Sequence, residues 1–258
     1  MRFGFVVDGF ASHAAVVLSQ DQDRIVHADV HGTGLDLAVI ERQLRRILSL
    51  DHSGAEFGQV GLRDPAIGRL QGLFPGLRPV LFNSPYEAAA WAVLSHRRQR
   101  RQATALRTRL GEALGATFQI AGESVPAFPL PERLLDLDEF PSMEPQRVER
   151  LRDVAQAALT GVLDPARLYE MGWEQALDEV QRLPGIGPMF GALIVHRAVG
   201  FADSLATGEA PGQRYLAELY GLDGPPSKET LEALTEKWRP FRTWAMVLVR
   251  VAGDRGAI

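Results

Sequence analysis

With 258 residues, the chain is long enough for one large or two modest domains around a buried core. It contains no cysteine, which excludes both a disulfide framework and an iron–sulfur cluster. Because the formal net charge is −4, any surface for nucleic acid would have to be local. The opening MRFGFVVDGFAS has no long apolar core with a cleavage site, and no later apolar run is long enough to span a membrane, so we expect a soluble cytoplasmic protein.

The first part of the chain predicts a small α+β domain over residues 1–78. Residues 1 to about 33 alternate in short apolar bursts separated by turn signals rich in Asp and Gly, which is typical of an antiparallel sheet. An amphipathic helix follows, and its apolar face consists of Leu37, Ile40, Leu44 and Ile47. At Asp64-Pro65, an N-cap residue and a first-turn proline open a short helix that ends at Leu73.

From Ser84 onwards the pattern becomes helical. Ser84-Pro85-Tyr86-Glu87 has the form of a capping box with proline in the first position. No acidic residue lies between Glu87 and Glu112, and six arginines fall in that interval: Arg97, Arg98, Arg100, Arg101, Arg107 and Arg109. This basic run is either a surface for phosphates or a solvated helix face.

The next part of the chain is richer in proline. Residues 121–132, AGESVPAFPLPE, are interpreted as an irregular connector. A short helix is expected over residues 131–140 and a longer one over 145–159, and the remaining segments also have helical periodicity. Residues 79–258 are therefore predicted to form a helical body.

Two apolar helical patterns over residues 173–200 predict a hairpin. They are separated by Leu183-Pro184-Gly185-Ile186-Gly187-Pro188. The glycines allow positive φ and close approach of another backbone, and the two prolines end one helix and open the next. Such a hairpin directs amide N–H groups outward, where they suit one phosphate. The alternative is a purely structural corner between two helices.

This hairpin, followed by Gly200-x-x-Asp203 and an acidic residue at position 209, resembles the helix-hairpin-helix DNA glycosylases of base excision repair. Within that superfamily the chain is most similar to the alkylpurine branch, 3-methyladenine DNA glycosylase II. The similarity extends over nearly the whole chain and is strongest in segments 76–95, 142–165, 183–209 and 236–250. It implies a mainly α fold, with a helical body in two parts around a cleft, preceded by the small α+β domain.

The resemblance puts Glu209 where the family carries its catalytic aspartate. Cleavage of an N-glycosidic bond gives the sugar oxocarbenium character, which a nearby carboxylate stabilises. An alkylated purine leaves as a neutral base, so one carboxylate suffices. Glutamate adds roughly 1.5 Å of reach, and a misplacement of that size costs about a hundredfold in rate. Asp203 is the competing carboxylate, although the resemblance gives it a structural role. The alternative for Glu209 is an ordinary loop glutamate.

The family stacks the flipped cationic base on aromatic rings. Met189 and Leu193 stand where the family has Trp and Tyr. The rings that remain are Phe190, Trp238 and Trp244, and these five residues form the predicted base pocket. Aromatic residues on apolar helices usually pack in the core, which is the alternative for each ring.

The resemblance implies a DNA surface with two parts. One is the hairpin, through Gly185, Ile186 and Gly187. The other is the loop after the Ser84 helix, which the family pushes into DNA; here it contains His96, Arg97, Arg98, Arg100 and Arg101. The expected partner is double-stranded DNA containing damaged bases, bound by a monomer associated with the nucleoid.

No cofactor is required for the implied chemistry. Hairpins of this kind often hold Na⁺ or K⁺ through backbone carbonyls, which by position are those of Gln181, Leu183 and Ile186. Met189 also stands where the bifunctional branch carries its Schiff-base lysine, so strand-nicking lyase chemistry is not expected.

Two functions remain open from the sequence. The first is a monofunctional DNA glycosylase for alkylated bases, favoured by the retained negative charge at Glu209. The second is a catalytically degenerate protein that binds lesions or DNA structures, favoured by the loss of Trp and Tyr at positions 189 and 193.

Overall fold

The computed structural model describes residues 1–205 and 210–258, and it begins with the predicted antiparallel sheet. Three strands pair in chain order: β1 (Arg2–Val6), β2 (His13–Gln20) and β3 (Val26–His31). Helix α1 (Leu37–Ile47) covers the sheet, because its apolar stripe and the inward side chains of the strands form one buried cluster. Asp36 caps this helix by accepting the N–H of Ala38 at 2.9 Å.

Two further helices pack on the C-terminal end of the chain instead of on the sheet. They are α2 (Gly54–Arg63), which the sequence pattern did not predict, and α3 (Pro65–Leu73). Asp64 caps α3 by accepting the N–H of Ala66 at 3.0 Å, as the Asp-Pro pair predicts. Apolar side chains of both helices share a cluster with Trp238 and Trp244. The domain boundary at residue 78 stays a prediction.

The rest of the chain is mainly helical. Its helices are α4 (Pro85–Ser95), α5 (Arg100–Leu114), α6 (Pro131–Leu135), α7 (Pro145–Leu159), α8 (Pro165–Glu170), α9 (Trp173–Gln181), α10 (Pro188–Ile194), α11 (Ala210–Tyr220), α12 (Lys228–Thr235) and α13 (Arg242–Asp254). A π-helix, Val195–Val199, continues α10, and a 3-10 turn, Glu236–Trp238, precedes α13. The predicted fold class, mainly α with an N-terminal antiparallel sheet, is confirmed. Within the described ranges, none of the helices has the length and apolarity to cross a membrane.

Helix α4 lies at the centre of the body. Every residue from Pro85 to Leu94 except Trp91 is buried, and α5, α7 and α10 pack around it. Ser84 accepts the N–H of Glu87 at 3.1 Å, so half of the predicted capping box forms. The Glu87 carboxylate does not reach back, because it is buried and turned towards β1 and α5. It accepts the Val6 N–H at 3.1 Å and pairs with Arg107 at 2.6 Å.

The interpretation of residues 121–132 as an irregular connector is wrong in its first half. Strands β4 (Ala116–Ile120) and β5 (Glu123–Ala127) form a hairpin there. Its two-residue turn, Ala121-Gly122, has φ of 51° and 80°, which suits the twist of paired strands. Strand β5 also lies against β1. The prolines concealed this strand, since Pro126 occupies a ladder position that proline seldom takes.

Two apolar clusters hold together the described helices from α2 onwards. The first gathers side chains of α4, α7, α9 and α10, and the second those of α2, α3, α11, α12 and α13. The segment between the π-helix and residue 205 connects them, because Phe201 packs against the first cluster while Ala202 and Leu205 belong to the second. This segment leads from the predicted hairpin to residues 206–209.

Candidate functional site

The hairpin between α9 and α10 is an exposed turn anchored by one buried side chain. Ile186 is buried, whereas Gly185 and Gly187 are exposed. The Ile186 N–H donates to the Leu183 carbonyl at 3.0 Å and closes the turn. Gly185 has φ of +84°, which favours glycine, and a Cβ there would lie 2.9 Å from Cδ of Arg150. The amide groups of the first turn of α10 have no carbonyl in their own helix to bind.

Gly187 and Gly185 form a matched pair for testing this turn. Gly187 has φ of −84° and open space around its Cα, so Gly187→Ala meets no steric clash. Because Gly187 is the N-cap of α10, where glycine is preferred to alanine, the change is expected to cost roughly 0.5–1 kcal/mol of stability. Its methyl group would nevertheless obstruct close approach of a phosphate, so duplex affinity should fall. Gly185→Ala, which forces alanine to positive φ, is expected to cost roughly 1–2 kcal/mol of stability.

Thermal unfolding and fluorescence anisotropy with duplex DNA measure the two effects. If Gly187→Ala binds DNA like the wild type, the hairpin is a structural corner and not a phosphate site.

The N-terminal part of the chain caps the far end of the hairpin helix. The π-helix ends at Gly200, which has φ of +105°, and three carbonyls at this end receive donors from outside. Arg46 donates to Ala198 O at 2.7 Å, and His52 donates to Gly200 O at 3.0 Å. The N–H of Phe82 donates to Arg197 O at 2.7 Å. These bonds satisfy carbonyls that a helix end leaves without partners.

Asp203, the competing carboxylate, is held by two guanidinium groups. Arg242 Nε lies 2.8 Å from one carboxylate oxygen, and Arg239 Nη1 lies 2.8 Å from the other. Because both oxygens are engaged, Asp203 ties the segment after the hairpin to the start of α13. This geometry agrees with the structural role that the sequence resemblance gives it.

A buried polar network fixes the next residue. The Ser204 hydroxyl bonds to Nδ1 of His196 in the π-helix, and the Ser204 N–H donates to Thr243 Oγ1 at 2.9 Å. The Thr243 hydroxyl in turn donates to Ser204 O at 2.8 Å. Burial lowers the pKa of His196 to about 4, so the imidazole is neutral at physiological pH. The chain is thus held in place up to Leu205.

Glu209, the predicted catalytic residue, lies outside the described residues, as do residues 206–208. Its role stays a prediction. Both sides of the gap are described: Leu205 is buried before it, and α11 begins at Ala210 after it.

The basic run divides into two groups that the sequence did not distinguish. Among the residues that the structure describes, no carboxylate pairs with Arg97, Arg100 or Arg101, and all three are exposed. Arg98 is different, because it donates to Ser142 O at 2.9 Å and pairs with Glu144 at 3.2 Å. The other two arginines of the run are also engaged, Arg107 with Glu87 and Arg109 over the ring of Phe140.

His96 joins the basic loop to the hairpin. Its ring centroid lies 6.2 Å from that of Phe190, in the first turn after the hairpin. Burial lowers the pKa of His96, and three neighbouring guanidinium groups lower it further: Arg97, Arg150 and Arg147. Arg150 also lies under Gly185. His96 and Arg150 therefore place the hairpin next to the start of the basic loop, and the hairpin and the exposed arginines of that loop are together called the basic face.

The predicted base-pocket residues do not share one environment. Met189 is 64% exposed, and Phe190 and Leu193 are half-buried beside the hairpin. Trp238 is fully buried and donates its indole N–H to Asp64 at 2.6 Å. Trp244 is buried as well, in edge contact with Phe57 and Phe241. In this structure both tryptophans are core residues, so neither presents a face on which a base could stack.

A second aromatic surface was not predicted. The rings of Tyr169 and Phe201 stack 5.0 Å apart beside a cavity of ≈ 260 Å³, and Tyr169 is 48% exposed. His52 and Asp203 also line this cavity. The pair joins α8 to the segment after the π-helix, and no spacing in the sequence connects the two residues.

The three carbonyls predicted to hold Na⁺ or K⁺ lie in one turn. That of Leu183 accepts the Ile186 N–H, and those of Gln181 and Ile186 accept no backbone N–H from the described part of the chain. Hard oxygen donors of this kind suit such a cation, and the site stays a prediction.

Sequence reasoning missed Arg147 and Arg150. Both lie on α7, and Arg147 donates to Val93 O at 2.5 Å and to Leu94 O at 3.2 Å at the end of α4. Their three-residue spacing places them on one helix face, and that was the available signal.

Two known proteins are similar to this chain in sequence. No protein-family model matches the chain. It is 27% identical over 213 residues to the probable bifunctional transcriptional activator/DNA repair enzyme AlkA of Mycobacterium tuberculosis, covering 81% of this chain and 42% of that protein. It is 22% identical over 211 residues to DNA-3-methyladenine glycosylase of Bacillus subtilis, covering 80% and 69%. The chain thus spans less than half the length of the first relative.

Solved structures are similar over more of the chain. A 3-methyladenine DNA glycosylase from Archaeoglobus fulgidus superposes with a TM-score of 0.81 at 18% identity, covering 100% of this chain and 88% of that one. An 8-oxoguanine glycosylase/lyase of Clostridium acetobutylicum in complex with double-stranded DNA gives 0.69 at 14% identity, covering 95% and 86%. The relatives in sequence and the similar folds confirm the predicted resemblance to helix-hairpin-helix DNA glycosylases.

Proposed function

We propose that this chain is a monofunctional DNA N-glycosylase that flips out and excises alkylated bases of the 3-methyladenine type. The observation that carries the proposal is the basic face, in which the hairpin and the exposed arginines meet at His96 and Phe190. Such a face supplies cations and backbone amides for phosphates in a protein of negative net charge. The names of the relatives, a DNA repair enzyme and a DNA-3-methyladenine glycosylase, support the same activity.

Catalysis in this proposal rests on one carboxylate, that of Glu209. It faces the positive charge that develops on the sugar and orients the attacking water. The damaged base is already cationic and leaves without an acid. Water is the nucleophile because Lys237 pairs with Asp64 at 3.2 Å and Lys228 lies beside Glu232, both away from the hairpin. The reaction would therefore leave an abasic site in an intact strand.

Release of bases from methylated duplex DNA tests the proposal directly. We expect methylated purines to be released, and strand breaks to appear only after alkaline treatment of the abasic product. Undamaged DNA of the same sequence is the control. Binding without release would identify the second candidate, a catalytically degenerate DNA-binding protein.

The basic face predicts which arginines bind DNA. Substituting Gln for Arg97, Arg100 and Arg101 should weaken duplex binding and flatten its salt dependence, by about 0.9 in the log–log slope for each phosphate that is no longer neutralised. Arg98 is kept, since its bond to the Ser142 carbonyl holds the loop. Fluorescence anisotropy over a range of salt concentrations measures both quantities.

The matched control replaces three exposed arginines elsewhere, Arg24, Arg42 and Arg69, and changes net charge by the same amount. If the two triple variants lose affinity equally, the loss reflects net charge in general, and the basic face is not the DNA-binding surface.

A further inference from the structure

A hollow in the surface lies between α5 and the start of α7, beside the exposed arginines. It encloses ≈ 560 Å³, and four guanidinium groups line it: Arg97, Arg98, Arg109 and Arg147. Side chains of Ala105 and Leu106 provide an apolar floor. Convergence of several cations on one concave surface concentrates positive potential and attracts anions.

Two of these guanidinium groups are fixed in place by backbone carbonyls. Arg147 is bound to the end of α4, with Nη1 2.5 Å from Val93 O, and Arg98 is bound to Ser142 O at 2.9 Å. Their side chains are only 14% and 18% exposed. Because the two groups are already ordered, binding of an anion to them costs little conformational entropy.

The anion in this position is a carboxylate of the protein itself. Glu144 accepts from Arg98 at 3.2 Å and from Arg147 at 3.0 Å. Its own backbone N–H, followed by the guanidinium of Arg147, lowers the pKa of Glu144 to about 2. Yet the Glu144 side chain is 64% exposed, so it can turn into solvent without breaking apolar packing. Exposed pairs of this kind contribute little to stability.

We propose that Arg98 and Arg147 form a binding site for a DNA backbone phosphate, and that Glu144 occupies this site in the free protein and leaves it when DNA binds. Phosphate and carboxylate oxygens accept the same charge-assisted bonds from guanidinium groups. A DNA phosphate also brings the neighbouring phosphates of the backbone to the exposed arginines, whereas Glu144 brings no further anion to them. Glu144 therefore limits the affinity of the basic face. The inference rests on the DNA binding, but not on the base excision, of the proposed function.

The displacement of Glu144 predicts a measurable signature. In the free protein Glu144 competes with the phosphate for Arg98 and Arg147, and Glu144→Gln removes the cost of displacing it. Binding of undamaged duplex DNA should therefore tighten by about twofold to fivefold, the upper part of the range for one exposed charge pair. The log–log salt slope should stay the same, because the same phosphates are neutralised in both proteins once Glu144 has left the site.

Glu149→Gln is the matched control, because Glu149 is exposed on the same helix and its replacement changes net charge equally. The double variant Arg98→Gln, Glu144→Gln should lose the gain in affinity.

If Glu144→Gln lowered the thermal unfolding temperature, Glu144→Ser would replace it, since residue 144 is the N-cap of α7 and serine is a good N-cap. Equal effects of Glu144→Gln and Glu149→Gln, or weaker binding by Glu144→Gln, would overturn the proposal.

Titration with inorganic phosphate separates the two sources of phosphate. A rise in the unfolding temperature of Glu144→Gln with added phosphate, without a gain in DNA affinity, would indicate a site for free phosphate and refute the DNA assignment. Base release measured on the same preparations keeps the two proposals apart. If no base is released but Glu144→Gln still binds DNA more tightly, only the proposed enzyme activity is refuted. If bases are released but Glu144→Gln binds DNA with the wild-type affinity, only the phosphate site is refuted.

Discussion

Glu209→Gln is expected to remove most base release from methylated duplex DNA while leaving DNA binding unchanged or tighter. The amide keeps the shape of the side chain but loses the negative charge that, in the proposed mechanism, stabilises the oxocarbenium centre. Removal of one such electrostatic interaction costs about a hundredfold to a thousandfold in rate. Binding tightens if one repulsion with the phosphates disappears. Single-turnover release and anisotropy, measured on the same preparation, distinguish the two effects.

Asp203→Asn is the contrasting variant for this test. Because Arg239 and Arg242 both bind Asp203, its replacement should lower stability, and release should fall only as far as the fraction of folded protein falls. Glu209→Asp adds a test of reach, since aspartate is shorter by roughly 1.5 Å and the rate should change in either direction. Release that survives Glu209→Gln untouched would remove Glu209 from the mechanism and make Asp203 the next candidate.

Acid is expected to destabilise the protein through His196. Its pKa is about 4 in the folded protein and about 6.5 in an unfolded chain. Between these two pH values the unfolded state binds more protons than the folded state. The stability that depends on neutral His196 is therefore fully present above about pH 6.5, and it is lost as the pH falls towards 4. The decrease amounts to roughly 3 kcal/mol at pH 4. Urea unfolding at pH 7 and at acid pH measures it.

His196→Asn isolates this contribution. Asparagine places a polar atom near the position of Nδ1 and so keeps a partner for Ser204, but it does not titrate. The variant should lose less stability than the wild type on acidification, because every other titrating group is common to both proteins. Parallel pH dependence in the two would exclude His196 as the group responsible.

Local chemistry explains what the sequence could predict. Asp64-Pro65 begins a helix because a side-chain cap and a fixed φ act within three residues, and Gly185 takes positive φ for a reason internal to the turn. Partners distant in the chain are not encoded in this way. Arg97 and Arg98 are neighbours in sequence, yet only Arg98 meets the carboxylate of Glu144.

The same limit applies to the aromatic residues. Trp238 and Trp244 lie in apolar segments that fit either core or pocket, and burial decides between these only when α2 and α3 are placed against them. Helix α2 lacked a predicted start, so the contact of Phe57 with Trp244 could not be foreseen. Glu87 likewise fits a capping box by spacing, but its carboxylate is buried and pairs with Arg107 on another helix.

The caps on the π-helix bear on how this protein could be shortened. A fragment starting at residue 79 would retain the hairpin, both apolar clusters in part, and the N–H of Phe82. It would lose Arg46 and His52, and with them the donors to the carbonyls of Ala198 and Gly200. Those carbonyls precede the segment that leads to Glu209. A shortened chain that is to keep these caps therefore needs the N-terminal segment that carries Arg46 and His52.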